Sequence, residues 1–215
     1  MNDSFASGYN FYKIIWTFII FSVFGFFFEI AMFYLQHGRF LMFFGLLHIP
    51  FSQVYGLAAV IAVSISSLLR KVDGVIVFLF FSFLGAVYEY IMSVIEERVF
   101  GFVSWEYSKI TWNVGGRTTI TLAFIWGVMA MFIVLYLYPF VSRQIERIPN
   151  RKGIVLTWLV IVILFFDAVL TVSALQRYGE RHDNLPPSNS YEEYLDAHYP
   201  DEHLLSIMPS LQYRK

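Results

Sequence analysis

The chain has no cysteine. Disulfides, thiolate metal sites and cysteine nucleophiles are therefore excluded. Charge is scarce as well. Asp, Glu, Lys and Arg make up 14% of the 215 residues, against about 25% in a soluble domain. The net charge of −1 gives no electrostatic footprint for nucleic acid. No G-x-x-x-x-G-K-[ST] occurs, so the chain cannot hydrolyse ATP through a Walker motif. H-E-x-x-H, G-x-S-x-G and a histidine cluster are also missing. His198 and His203 lack ligand spacing, and His37 and His48 read as interfacial or hydrogen-bonded residues rather than bases. No catalytic residue, metal or cofactor is expected.

Apolar residues are abundant: 58% hydrophobic, 20% aromatic, mean hydropathy +0.60. This composition describes an all-α, polytopic integral membrane protein. A spanning helix needs about 20 mostly apolar residues. Five segments qualify, at about Phe11 to Leu35, Pro50 to Leu69, Gly74 to Ile95, Thr118 to Val141 and Ile154 to Gln176. The first is too long for a cleaved signal peptide and reads as a signal anchor. Arg70 with Lys71, and Arg143, Arg147, Arg151 and Lys152, make two short basic connections. Such loops stay in the cytoplasm, which puts the N-terminus inside and the C-terminal tail outside a bacterial plasma membrane. The opposite loops, residues 36 to 49 and 96 to 117, are rich in aromatics and glycine. Loops of that kind can re-enter the bilayer where protein or a watery cavity covers the backbone. Beyond a transmembrane domain over residues 1–176 lies an acidic tail over 177–215. There Ser190 and Glu193 fit a capping box, predicting a short helix over 191 to 198 with the rest extended or disordered.

Two acidic residues stand inside the apolar runs. Ser22, Gly25 and Glu29 fit S-x-x-G-x-x-x-E, and so do Ser82, Gly85 and Glu89. An aromatic–glycine pair follows each in the next helix, Tyr55–Gly56 and Trp126–Gly127. The pattern predicts two parallel two-helix repeats, over about 11–70 and 74–141, with an extra helix over 154–176. Positions i, i+3 and i+7 share one helical face. In the third segment that face continues through Ser93 and Glu96. Such a stripe is either a packing surface or a polar site. Asp167 adds a third acid near the middle of the last segment, while Arg39 and Arg117 lie at the outer side. Intramembrane charges are usually paired, and the expected pair is Arg117 with Glu89. Two arginines against three acids would leave one carboxylate over, which suits proton coupling, a cationic ligand or a purely structural network.

The segment Trp105, Glu106, Tyr107, Ser108, then Asn113 with Gly116 and Arg117, then Trp126–Gly127, carries a resemblance. It resembles the bacterial family of ABC-transporter type IV permease-like membrane proteins, whose pattern is W-D-Y-S, N-x-x-G-R and W-G. Glu106 replaces the aspartate. In the first half a run from Phe44 to Gly56, including Pro50 and Tyr55, resembles R-G-F-L-x-G-P-x-x-P-I-Y-G, departing at Phe44, Ile49 and Gln53. The resemblance covers about residues 12 to 175 and implies a transport component. Trp105 and Tyr107 suit a membrane interface, Gly116 a sharp turn, Asn113 a cap or a ligand contact, and Arg117 a clamp for a carboxylate or phosphate.

Three functions follow from these residues. The first is a permease-like transport component with a site of Glu29, Glu89, Asn113, Arg117 and Asp167. It would need a separate ATPase subunit, engaged through residues 142 to 152. Five helices are few for a complete carrier, which points to a homodimer or a partner chain in the lipid bilayer. The second is a membrane-embedded lipid-binding protein or enzyme. The third is a non-catalytic sensor or assembly factor using the tail.

Overall fold

The computed structural model describes residues 4–42, 45–209 and 211–213. Phe44, one of the departures noted above, lies outside them. Helix α1 (Phe11–His37) starts at Asn10, whose side chain accepts from the Lys13 amide, and stops at Gly38 in a left-handed conformation. Helix α3 (Gly74–Phe100) repeats this design, with Asp73 capping the Val75 amide and a left-handed Gly101 ending it. The third expected segment was to stop near Ile95, so Glu96 and Glu97 belong to the helix and not to the following loop.

Among the described residues four helices are long and apolar enough to cross a membrane. Two are α1 and α3. The third runs Ile120–Glu146 and is built of α4 (Ile120–Phe132), a π turn (Ile133–Leu137) and α5 (Tyr138–Glu146). Pro139 explains the π turn: it has no amide to give to a carbonyl four residues back, and the ladder widens just before it. The fourth is α6 (Asn150–His182). The remaining expected span is shorter, α2 (Gln53–Ser66) followed by one 3-10 turn (Ser67–Leu69). The molecule is an all-α polytopic membrane protein.

The helices pair as α1 with α2 and α3 with α4. Glycine makes both contacts possible. A Cβ placed on Gly25 would overlap the Cβ of Tyr55, and one on Gly56 would overlap the Ser22 hydroxyl. In the second pair Gly85 stands against Trp126 and Gly127 against Ser82 in the same way. Both serine hydroxyls are buried without a hydrogen-bond partner among the described residues. The pairs touch through aromatics: Tyr55 and Trp126 stack with centroids 5.6 Å apart, and the Tyr88 hydroxyl donates to the Val54 carbonyl at 2.7 Å.

At the N-terminal end of α1 a fully buried Lys13 donates to Ser142 at 2.6 Å and pairs with Glu146. Trp16 Nε1 donates to Thr157 at 2.8 Å, and Phe5 packs where Gly153 leaves room. Sequence reading missed the Lys13 pair, because the residue sits too close to the end of an apolar run to be told from an interfacial lysine.

The tail corrects its expectation. Helices α7 (Ser190–His198) and α8 (Asp201–Ile207) are followed by β4 (Gln212–Tyr213), antiparallel to β1 (Phe102–Val103). Leu195, Tyr199, Leu204, Met208 and Leu211 are buried in one cluster with Leu47, Phe102 and Tyr178. The cap falls on Asn189, which accepts from Tyr191 and Glu192, not on Ser190. Glu192 in turn accepts from the Ser188 amide at 2.6 Å. Arg177 and Arg181 bind Asp196, and Arg181 binds Asp201, so much of the acidic charge is paired.

Candidate functional site

A cavity of about 380 Å³ opens between the two helix pairs, near the C-terminal ends of α1 and α3. Glu29 from α1 and Glu89 and Glu96 from α3 line it. The i+7 spacing puts Glu96 two turns beyond Glu89 on the same face. Phe28, Tyr55, Trp105, Tyr107 and Trp126 supply most of its aromatic wall.

Ser52, just before α2, lines the cavity together with Glu29, and the two carboxylates of α3 are held by neutral donors from the segment that follows that helix. Thr118 donates to Glu89 at 2.7 Å, with the Tyr107 hydroxyl at 3.5 Å. Glu96 accepts from the Ser104 amide at 3.0 Å and its hydroxyl at 3.1 Å. Burial, and then the Glu89 carboxylate, push the Tyr107 phenol above its ordinary range, so it remains a donor.

The Trp105–Arg117 segment is a hairpin that closes one side of this cavity. Strands β2 (Asn113–Val114) and β3 (Thr118–Thr119) pair antiparallel. Asn113 stitches the turn: its carbonyl oxygen accepts from the Gly116 amide at 2.9 Å and its amide donates to the Ile110 carbonyl at 2.8 Å. Gly116 has φ +70°, and a Cβ there would overlap the Ser108 hydroxyl and crowd Glu106. Glu106 accepts from the Ser108 amide at 2.7 Å. Trp105 Nε1 donates to the Arg117 carbonyl at 2.9 Å, and the Tyr107 amide to the Gly116 carbonyl at 2.7 Å.

Arg117 does not pair with Glu89. Its guanidinium bonds Glu97, donates to Ser93 at 2.9 Å and lies 5.8 Å from the centre of the Tyr90 ring. The reason is the helix end: with α3 running on to Phe100, Glu97 stands one turn beyond Ser93 and meets the hairpin first. Arg39 lies over the Phe33 ring at 5.9 Å.

Asp167 also stands apart from the cavity. It accepts from the His48 amide at 3.2 Å and holds His48 Nδ1 at 2.7 Å, while Thr171 accepts from the Leu47 amide. The Tyr199 hydroxyl reaches His48 Nε2 at 3.4 Å. Asp167 and Thr171, at i and i+4 on α6, thus fasten the loop between α1 and α2 to α6, and His48 carries the joint on to the tail. Of the five expected site residues, Glu29 and Glu89 line the cavity. Asn113 and Arg117 brace its hairpin, and Asp167 serves the neighbouring joint. Glu96, Ser52, Ser104 and Thr118 were not expected at the site. Only Glu96 carried a signal in the sequence, its place on the Glu89 face.

A family described as “Putative ABC-transporter type IV” matches residues 16–172. The chain belongs to that family. The match begins inside α1 and ends inside α6, so the cavity, the hairpin and all but the first residues of the two helix pairs fall within the family region and α7 and α8 fall outside it. The family is one of ABC-transporter-type components, which supports a transport role in general. No curated protein and no solved structure matches the chain.

Proposed function

We propose that the chain is the permease-like membrane subunit of a transport system, and that the cavity between its helix pairs is the substrate site. The observation that carries this reading is the meeting of Glu29 and Glu89, the acids of the two similar sequence motifs, in one cavity. Ligand sites favour such concave, mostly apolar places with a few convergent polar groups. Glu29, Glu89 and Glu96 are the substrate contacts, and Arg117 is a positioning residue that fixes the hairpin to α3. The like packing of Gly25 and Gly85 supports reading 11–70 and 74–141 as repeats related by an axis along the membrane normal, with 154–176 as the added helix. ATP is hydrolysed by a separate subunit that meets the basic connection at 142–152. The protein resides in a bacterial plasma membrane with its tail outside, alone or as a homodimer beside that ATPase.

Purification of the tagged protein from its native membrane in mild detergent tests this. A stoichiometric nucleotide-binding ATPase is the expected companion. Glu89→Gln is expected to keep insertion and the companion while losing complementation of a deletion strain. Recovery of a homodimer holding only lipid, with no ATPase, would overturn the reading and favour a lipid-handling protein. Equal, severe loss of folded yield in Glu89→Gln and Arg117→Ala would make the network structural.

A further inference from the structure

The cavity is chemically one-sided. Three carboxylates line it, and among its lining residues there is no lysine, arginine or histidine. Arg117, the arginine of the adjoining hairpin, is committed to Glu97 and Ser93 in the C-terminal part of α3. The donors that reach Glu89 and Glu96, from Thr118, Tyr107 and Ser104, are all neutral. A carboxylate held away from bulk water calls for a positive partner or a proton. The protein orients these three without supplying the partner.

The wall is the second, independent observation. Tyr55, Trp105 and Trp126 line the same space as the carboxylates. Ring faces attract cations through their quadrupoles, tryptophan most strongly. A bare metal ion would gain little from them. It would also need its oxygen ligands gathered at about 2.0–2.6 Å, and no metal-holding group of acids and histidines occurs among the described residues. The volume of about 380 Å³ lies within the range of small-molecule sites, about 300–1,000 Å³.

Resting on the substrate site proposed above, we infer that this cavity binds an organic ammonium group. Its single charge is met by one carboxylate of the Glu29, Glu89 and Glu96 set while the other two are neutralised by protons, and its alkyl or aromatic body packs against Tyr55, Trp105 and Trp126. The same chemistry can arrive as a free organic cation or as the ammonium head of a lipid. An organic anion is disfavoured by all three acids, and a neutral isostere forgoes both the ion pair and the ring faces.

The test uses the full chain in nanodiscs of phosphatidylglycerol, read by tryptophan fluorescence and thermal stability. Choline is titrated beside its neutral isostere 3,3-dimethylbutan-1-ol, and benzylammonium beside benzyl alcohol. The cations are expected to bind at least about tenfold more tightly than their isosteres. The double variant Glu29→Gln with Glu89→Gln is expected to lose that preference, and Glu193→Gln, on the exposed face of α7, to keep it. Equal binding of the neutral isosteres, or no binding of either cation, overturns the inference. Adding phosphatidylethanolamine separates the two sources. Weakened choline binding identifies a lipid head as occupant, unchanged binding a free solute, and the ammonium assignment stands in both cases. If benzoate binds wild type in place of the cations, the ammonium assignment fails while the substrate site survives. If no probe of any charge reaches the tryptophans, both fail.

Discussion

Gly85 has no room for a methyl group. Its would-be Cβ falls on the Cβ of Trp126, an atom that cannot move without moving α4. Gly85→Ala should therefore lower stability by about 1–3 kcal/mol through overpacking, read as a drop in melting temperature in detergent. Gly25→Ala, which faces Tyr55 in the same way, should lower it by a similar amount. Ser82→Ala should do the opposite or nothing. That hydroxyl is buried and has no hydrogen-bond partner among the described residues, and removing an unsatisfied polar group relieves a desolvation cost of about 1–3 kcal/mol. Loss of stability in Ser82→Ala comparable to that in Gly85→Ala would mean the hydroxyl has a partner the side-chain geometry does not reveal. At this scale much of the pattern could be read from the sequence, because small residues at i, i+3 and i+7 in an apolar run mark a close helix contact whatever surrounds them. The Arg117 partner could not be read so. It turned on whether α3 stops at Ile95 or runs on to Phe100, and apolar content does not locate the end of a helix whose last two turns hold Glu96, Glu97 and Arg98.

The tail shows what composition conceals in an element. Its acids suggested a solvated strand of chain, yet they alternate with Leu195, Tyr199, Leu204 and Met208, which close over Leu47 and Phe102. The acids are legible as structural only when Arg177 and Arg181, placed at the end of α6, are seen opposite them. Arg177 is 2% exposed and bonds Asp196 through two nitrogens, each at 2.9 Å. These hydrogen bonds, with the neighbouring Arg181, hold the Asp196 carboxyl below the usual carboxylate range. A depressed folded value means the contribution is complete above the unfolded value of about 3.9 and is lost as pH falls through the folded one. The tail should stay docked from neutral pH down to about 4 and become protease-sensitive below it. Asp196→Asn should loosen it at neutral pH, since Arg177 then keeps Glu180 and the Leu185 carbonyl and Arg181 keeps Asp201, with no other charged partner among the described residues. Limited proteolysis across a pH series checks both. A cut rate independent of pH and of Asp196 would mean that the apolar cluster alone holds the tail.

Across the whole molecule, the loops after α1 and α3 and the tail share one end, because Leu47, Phe102 and the buried residues of α7 and α8 form a single cluster, and the cavity lies near that end. The basic connection at 142–152 lies at the other end, where Lys13 meets Ser142 and Glu146. The fold class could be read in the sequence through hydropathy alone, and the pairing of helices through the two echoed motifs. A site between the two repeats was expected from those motifs, but which side chains wall it was not legible, since that depends on how Tyr55 stacks on Trp126 across a boundary that no spacing rule spans. The proposed relation of the two ends to the membrane rests on charge: positively charged short loops are retained in the cytoplasm. The lack of cysteine makes this directly measurable, because any thiol introduced is the sole thiol. Ala197→Cys on α7 and Gln144→Cys on α5 both sit at exposed positions. In intact cells a membrane-impermeant maleimide should label Ala197→Cys and spare Gln144→Cys, with both labelled after permeabilisation. The reverse pattern would place the cavity mouth and its three carboxylates on the cytoplasmic side. A substrate would then enter the cavity from within the cell, and the basic connection could no longer be the docking site for a cytoplasmic ATPase.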